Sequence, residues 1–161
     1  MGNLIRVGMA DMNVCCAPDR ITTLGLGSCV GVTIYDPVKH ICGMVHIMLP
    51  NSMEIINRDN PAKFADTGIQ MLYNRLLEMG VNRYQLKAKM AGGAQMFGFI
   101  SANENLRVGK RNAEASESIL KSLGIRIEAS DCGGNYGRTI EFDPVTSRLY
   151  IRAIGRKEFF I

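Results

Sequence analysis

The sequence contains no tryptophan, few other aromatic residues and no long apolar run, and only two of its 161 residues are histidine. A membrane-spanning helix needs about eighteen consecutive apolar residues, and no segment approaches that length. The first sixteen residues, MGNLIRVGMADMNVCC, also lack the charged and apolar regions of a signal peptide. We therefore expect no membrane insertion and a cytoplasmic protein.

A disulfide framework and a cysteine-based metal site are both unsupported by the cysteine pattern. The five cysteines are an odd number without any C-x-x-C spacing: Cys15, Cys16, Cys29, Cys42 and Cys132. Such a set fits a reducing compartment in which thiols stay free. We expect five free thiols and no bound metal.

A strongly basic character is absent as well, since the formal net charge is only +4. Nucleic-acid binding favours a basic stripe with interleaved aromatic residues, and Lys and Arg are instead spread along this chain. We expect no nucleic-acid partner and only a mild attraction to acidic protein surfaces. The hydrophobic fraction of 47% fits one globular domain over residues 1–161.

The pattern of apolar residues predicts the order strands, helix, strand, helix, strands along the chain. Short strands are predicted over 3–12, 20–27, 29–36 and 41–49, and the last two form a hairpin around Asp36 and Pro37. After a polar loop over 51–60, helical spacing begins. Later strands are predicted over 85–97, 125–131, 138–143 and 148–154.

Two helices are predicted, each with its own start and stop signals. The first is capped by Asn60, has Pro61 in its first turn and ends at Gly80. The second is capped by Asn112 and ends at Gly124. The residues expected to face the core are Phe64, Ile69, Leu72, Leu76 and Met79 in the first helix and Ala115, Ile119, Leu120 and Leu123 in the second.

Many of these strands form hairpins rather than regular βαβ units. The order therefore favours a mixed α+β fold over a doubly wound parallel sheet. We expect a layered mixed sheet or a β-sandwich with two main helices.

The segment TLGLGSCVGV, residues 23–32, places three glycines around one cysteine. A dinucleotide-binding loop is excluded, because the spacing is G-x-G-x-x-x-G and β-branched residues follow instead of a helix. Glycine inside a strand marks a bulge, a bend or a close approach of another chain segment. The cysteine in this segment is either buried or presented to a substrate.

A nucleophilic role for Cys29 requires a nearby base, and His46 is the candidate. His40 belongs to a polar turn, whereas His46 lies in the apolar segment GMVHIML and needs either a polar partner or a function. Hairpin pairing brings Cys29 and His46 near each other. The alternative is that Cys29 is a small buried hydrophobe and His46 a structural residue. If the two form a dyad, we expect His46 to lower the pKa of the Cys29 thiol.

Neighbouring residues can complete such a site. Gly25 and Gly27 allow the backbone to approach a substrate, and N–H groups near Ser28 and Cys29 can form an oxyanion hole. Thr23 can accept the second ring proton of His46 and fix its tautomer. As an alternative, Thr23 is an ordinary β-branched strand residue.

The strings TLGLGSCVGV, GMVHIMLP, AGGAQMF, GKRNAE and DCGGNYGR, in this order, resemble the CheD family of chemoreceptor glutamine deamidases. The resemblance implies hydrolysis of glutamine side chains on methyl-accepting chemotaxis receptors, with Cys29 as nucleophile, His46 as general base and Thr23 as the orienting residue. It also implies the CheC phosphatase as a partner, no cofactor, and a fold similar to the deamidating domain of cytotoxic necrotizing toxins.

Further expectations concern the cleft and its surroundings. We expect the backbones of Gly27, Ser28, Gly92 and Gly93 to bind substrate. Cys132, inside DCGG, is a second thiol that is either redox-sensitive or merely buried. Phe97 and Phe99 are expected in the core, with partner contact as the alternative.

Two other functions remain open at this point. One is a non-catalytic chemotaxis adaptor that acts through CheC binding. The other is a cysteine protease or transamidase that uses the same acyl-enzyme chemistry.

Overall fold

The structure is a computed structural model that describes residues 2–96 and 107–161. It contains two five-stranded sheets and two α-helices in its described part. The strands are β1 (Leu4–Val7), β2 (Met12–Cys16), β3 (Arg20–Leu26), β4 (Val30–Asp36), β5 (Ile41–Ile47), β6 (Lys87–Gly92), β7 (Arg126–Cys132), β8 (Arg138–Asp143), β9 (Arg148–Arg152) and β10 (Phe159–Phe160); the helices are α1 (Ala65–Glu78) and α2 (Val108–Ser122).

Each sheet mixes antiparallel pairs with one parallel pair. The first sheet has the order β1-β3-β8-β9-β10, and the second has the order β2-β5-β4-β6-β7. The parallel pairs are β1 with β3 and β6 with β7. The predicted hairpin is present as β4 and β5, with Val30 opposite Ile47 and Gly31 opposite His46.

The second sheet forms the middle layer, which explains why β4 is buried along its whole length. Its residues Val30, Val32 and Ile34 pack against the helices. The alternate positions face the first sheet, where Tyr35 packs with Phe142 at a ring-centroid distance of 4.8 Å. Successive side chains of a strand point to opposite faces, so one apolar strand serves two core layers. The predicted mixed α+β layered class is confirmed.

The two helices pack with the faces that their spacing predicted. In α1 the expected core residues Ile69, Leu72 and Leu76 are fully buried, and in α2 Leu120 is. The stop signals are confirmed too, since Gly80 and Gly124 follow the helix ends with φ of 86° and 73°. Such left-handed residues commonly end helices.

The helix starts differ from the prediction. Asn60 caps a short 3-10 turn, Pro61–Lys63, and α1 begins only after Phe64. The cap assigned to Asn112 is wrong, because α2 begins at Val108 and Asn112 lies in its second turn, fully buried. The side chain of Asn112 faces the protein interior instead of the helix end.

The prediction of a single strand over 3–12 is also wrong. Its apolar alternation belongs to β1 and to the first residue of β2, which lie in different sheets and are separated by a turn in which Ala10 has φ of 54°. The tail contributes the unpredicted β10, and β6 ends at Gly92. Phe97 and Phe99 lie outside the described residues.

All five cysteines are free thiols, as expected. Cys132 is half-buried, and burial raises its pKa to about 11. A thiol with this pKa is protonated and unreactive at neutral pH. Across residues 2–96 and 107–161, no helix has the length and apolar character needed to cross a membrane.

Gly31 lies at a point where the two sheets pack closely. An added Cβ would lie 2.5 Å from Ile140 Cδ1 and 3.2 Å from Leu26 Cδ1. We expect Gly31→Ala to lower the free energy of unfolding by about 1–3 kcal/mol through overpacking. Urea unfolding measures this, with Gly8→Ala as control because the nearest atom there is 3.9 Å from the added Cβ. Equal unfolding midpoints for the two variants would contradict the packing.

Candidate active site

His46 lies on β5 and points into the layer between the two sheets. Its side chain is fully buried, and the facing residue on β4 is Gly31. The space that a side chain at Gly31 would occupy is filled by Ile140 and Leu26 of the first sheet. The otherwise apolar strand β5 thus contains a fully buried polar side chain, His46.

Thr23, on β3 of the opposite sheet, is the hydrogen-bond partner of His46. Its Oγ1 lies 2.7 Å from His46 Nδ1 and donates to the carbonyl oxygen of Val7, also at 2.7 Å. A hydroxyl has only one proton to donate, and the Val7 carbonyl can only accept. Toward His46, Oγ1 must therefore accept, so Nδ1 carries a proton and the lone pair is on Nε2.

The Nε2 atom of His46 is buried and has no hydrogen-bond partner among the described residues. Burial also lowers the pKa of His46, because the charged imidazolium is poorly solvated there. The ring is therefore neutral with an unoccupied lone pair. Such a group can take a proton from a donor that comes within reach.

Cys29 directly precedes β4 and lies two residues before Gly31, the residue opposite His46. Side chains two residues apart on a strand share a face, so Cys29 and His46 are diagonal neighbours across the hairpin. Cys29 is 8% exposed. Its sulfur is not hydrogen-bonded to Nε2 of His46.

The expectation that His46 lowers the pKa of Cys29 is wrong for this structure. Burial raises the pKa of the Cys29 thiol. Without a hydrogen bond to the imidazole, only desolvation acts on the sulfur, and desolvation disfavours the thiolate. The resting pair is a neutral thiol next to a neutral imidazole.

The backbone around Cys29 is fixed through its carbonyl groups. The oxygen of Gly27 accepts from Ala94 N–H and the oxygen of Cys29 accepts from Gly93 N–H, both at 2.8 Å. Gly27 N–H donates to Gly25 at 3.1 Å, so it is not available to a substrate. Within the described ranges, the N–H groups of Ser28 and Cys29 have no backbone acceptor.

The glycines of this region are explained by their immediate surroundings. Gly25 has φ of +71° at a break in the pairing of β3 with β8, between Thr23 and Leu26. The predicted strand irregularity is therefore a β-bulge at the edge of the site. Gly92 lies against the Cys29 segment, since an added Cβ would be 2.3 Å from the Cys29 oxygen.

Asn112 is the site residue that sequence reasoning missed. Its Nδ2 donates to the carbonyl oxygens of Ser28 at 2.9 Å and Met48 at 3.0 Å. The available signal was its spacing, because Asn112, Ser116 and Leu120 follow one another at four-residue intervals and are all fully buried. A polar residue in the apolar stripe of a helix indicates a specific partner.

The family model and the most similar named proteins found by comparison agree on one family. A family model described as CheD chemotactic sensory transduction matches residues 48–153. A protein of Lachnoclostridium phytofermentans named probable chemoreceptor glutamine deamidase CheD is 61% identical over 158 residues, 98% of each chain. One of Halalkalibacterium halodurans named chemoreceptor glutamine deamidase CheD is 53% identical over 98% of this chain and 99% of its own.

Solved structures give weaker matches. The hypothetical protein YfiH of Bacillus licheniformis aligns at a TM-score of 0.43 with 15% identity, covering 70% of this chain and 46% of its own. A Neisseria meningitidis protein of the DUF152 family aligns at 0.46 with 11% identity, covering 83% and 63%. Both scores are low, and neither bears on the chemistry of the site.

We expect Cys29 of the free protein to react slowly with iodoacetamide at neutral pH. Because burial raises the pKa of this thiol, the rate should rise steadily above neutrality, and His46→Ala should change it little. Peptide mass spectrometry follows the labelling, with the exposed Cys16 as a faster internal control. A rate that levels off near neutrality and is lost in His46→Ala would instead indicate a preformed thiolate–imidazolium pair.

Proposed function

The chain belongs to the CheD family, and on this premise we propose that it is a protein-glutamine deamidase that converts glutamine side chains of methyl-accepting chemotaxis receptors to glutamate. The observation that carries the proposal is the 2.7 Å contact of Thr23 Oγ1 with His46 Nδ1, which leaves Nε2 free on the face that Cys29 shares. Cys29 is the nucleophile, His46 the general base and Thr23 the orienting residue.

The first half of the reaction forms a thioester. As the substrate amide enters, His46 Nε2 takes the proton of Cys29 while Sγ attacks the carboxamide carbon. Catalytic hydrogen bonds that are long or poorly aligned in the free enzyme often tighten only in the substrate complex. The tetrahedral oxyanion collapses, the C–N bond breaks, and the imidazolium gives its proton to the departing nitrogen, which leaves as ammonia.

The second half consumes water. His46, neutral again, removes a proton from a water molecule that attacks the thioester carbon. The C–S bond breaks, Sγ takes the proton back through His46, and the product is a glutamate side chain. The balance is one water consumed and one ammonia released, without a cofactor.

Backbone groups supply the electrostatic part of this mechanism. The N–H groups of Ser28 and Cys29 have no backbone acceptor in the described chain and are suited to the oxyanion. Gly27, Gly92 and Gly93 then shape the substrate cleft by holding the nucleophile segment in place.

The proposed setting follows from the family resemblance. The protein acts as a single domain over residues 1–161 in the cytoplasm, on the cytoplasmic part of a receptor. We propose the CheC phosphatase as a second protein partner.

The activity is tested by mass spectrometry of a receptor cytoplasmic fragment incubated with the protein. We expect a gain of about one dalton at chosen glutamines, absent with Cys29→Ala. An unchanged mass despite stable binding would support the adaptor function instead. Cleavage of the fragment, or incorporation of an added amine, would support a protease or a transamidase.

The role of Thr23 has a matched control in its neighbour on β3. Thr23→Val keeps the shape but removes the acceptor for His46 Nδ1–H, and we expect the deamidation rate to fall about 10- to 100-fold. Thr22→Val also removes a buried hydroxyl, which donates to the Ile140 oxygen at 2.7 Å, but leaves His46 untouched. Equal rates for the two variants would exclude an orienting role for Thr23.

A further inference from the structure

Asn112 connects helix α2 to both halves of the candidate site. Its amide donates one hydrogen to the Ser28 carbonyl, directly before the nucleophile, and the other to the Met48 carbonyl, two residues beyond His46. Because both acceptors are carbonyl oxygens, the group that faces them must be the NH₂ of the amide. One side chain thus ties the Cys29 segment to the end of the strand that carries His46.

The close approach of α2 makes this contact possible. Gly109 lies one turn before Asn112, and an added Cβ there would be 2.4 Å from the Ala94 oxygen and 2.7 Å from the Gly93 oxygen. Only a glycine lets the helix lie this near to the backbone that follows β6. That same backbone donates to the carbonyls of Gly27 and Cys29.

The other end of the Asn112 amide is unpaired among the described residues. Its Oδ1 is buried and has no partner within residues 2–96 and 107–161. A buried acceptor without a hydrogen bond costs about 1–3 kcal/mol. An apolar residue would avoid this cost, so the amide is better explained by what its NH₂ group holds.

Peptide geometry shows what the bond to Ser28 achieves. The Ser28 carbonyl and the Cys29 N–H belong to the same planar trans peptide, so they point in opposite directions. Holding the oxygen toward α2 turns the N–H away from the helix, and polarisation of the peptide strengthens that N–H as a donor. The carbonyls on either side are held by backbone N–H groups, whereas this one depends on a side chain.

We propose that Asn112 is a positioning residue that aims the Cys29 N–H at the oxyanion formed during acyl transfer. The proposal rests on the function proposed above, since it requires Cys29 to be acylated. It names a residue of α2, outside the Thr23, Cys29 and His46 group, as part of what makes the transition state stable.

The test compares two reactions of the same sulfur. Acylation of Cys29 by p-nitrophenyl acetate passes through a tetrahedral oxyanion, whereas alkylation by iodoacetamide does not. We expect Asn112→Ala to lower the acylation rate about 10- to 100-fold while alkylation stays within about threefold, because a misdirected oxyanion donor affects only the first reaction. Folded protein isolated by size exclusion is used throughout.

The matched control is Ser116→Ala. Ser116 is fully buried one turn further along α2, and its Oγ donates to the Asn112 carbonyl oxygen at 2.7 Å. This variant loses a buried hydrogen bond of the same helix, and we expect it to leave the ratio of acylation to alkylation unchanged. Asn112→Leu is a second variant, which keeps a similar side-chain size, has no hydrogen-bond donor and should lower the ratio as Ala does.

Three outcomes would overturn the proposal: both rates falling together, neither rate changing, or Ser116→Ala lowering the ratio equally. An absence of Cys29 acylation in the unmodified protein would also overturn it. The receptor fragment gives a separate reading, in which Asn112→Ala should lower kcat and leave KM nearly unchanged. If the ratio falls as expected but the unmodified protein deamidates no receptor fragment, the proposed substrate is wrong and the role of Asn112 in acyl transfer stands.

Discussion

The tautomer of His46 depends on which neighbouring atom accepts the single hydroxyl proton of Thr23. Thr23 gives its proton to the carbonyl of Val7, its partner in the parallel pairing of β1 with β3. Having no second proton, Thr23 can only accept from His46 Nδ1. The hydrogen-bond chain from Val7 to His46 crosses from one sheet to the other. The register of β1 therefore determines which nitrogen of the imidazole carries the proton and which keeps its lone pair.

Burial also favours a site in which His46 and Cys29 are both uncharged. The two sheets exclude water around His46 and Cys29, which lowers the pKa of the imidazole and raises that of the thiol. Both shifts favour the uncharged forms, because isolated buried charges cost several kcal/mol each. In the proposed reaction the site therefore develops charge only while the substrate reacts, when fixed backbone N–H groups can receive it. Preorganised donors of this kind need no rearrangement at that moment.

The sequence predicted the features that depend on residues close together in the chain. The hairpin of β4 and β5, the apolar face with Ile69 and Leu72, and the proximity of Cys29 and His46 follow from pairing and periodicity. The contact of Thr23 with His46 joins the two sheets and does not follow from local pairing. What the sequence missed depends on contacts between distant segments. The split of 3–12 between two sheets and the placement of Asn112 beside Ser28 are set by packing that no local pattern encodes. The raised pKa of Cys29 likewise reflects burial between assembled sheets.

The central claim is that neutral His46 carries its proton on Nδ1 and offers a bare Nε2 to Cys29. Nitrogen-15 NMR of protein labelled at histidine measures this directly, with His46→Gln used to separate its signals from those of His40. The account predicts a protonated Nδ1 and an unprotonated Nε2 for His46 in the resting protein at neutral pH. A proton on Nε2, or a charged ring with both nitrogens protonated, would contradict it.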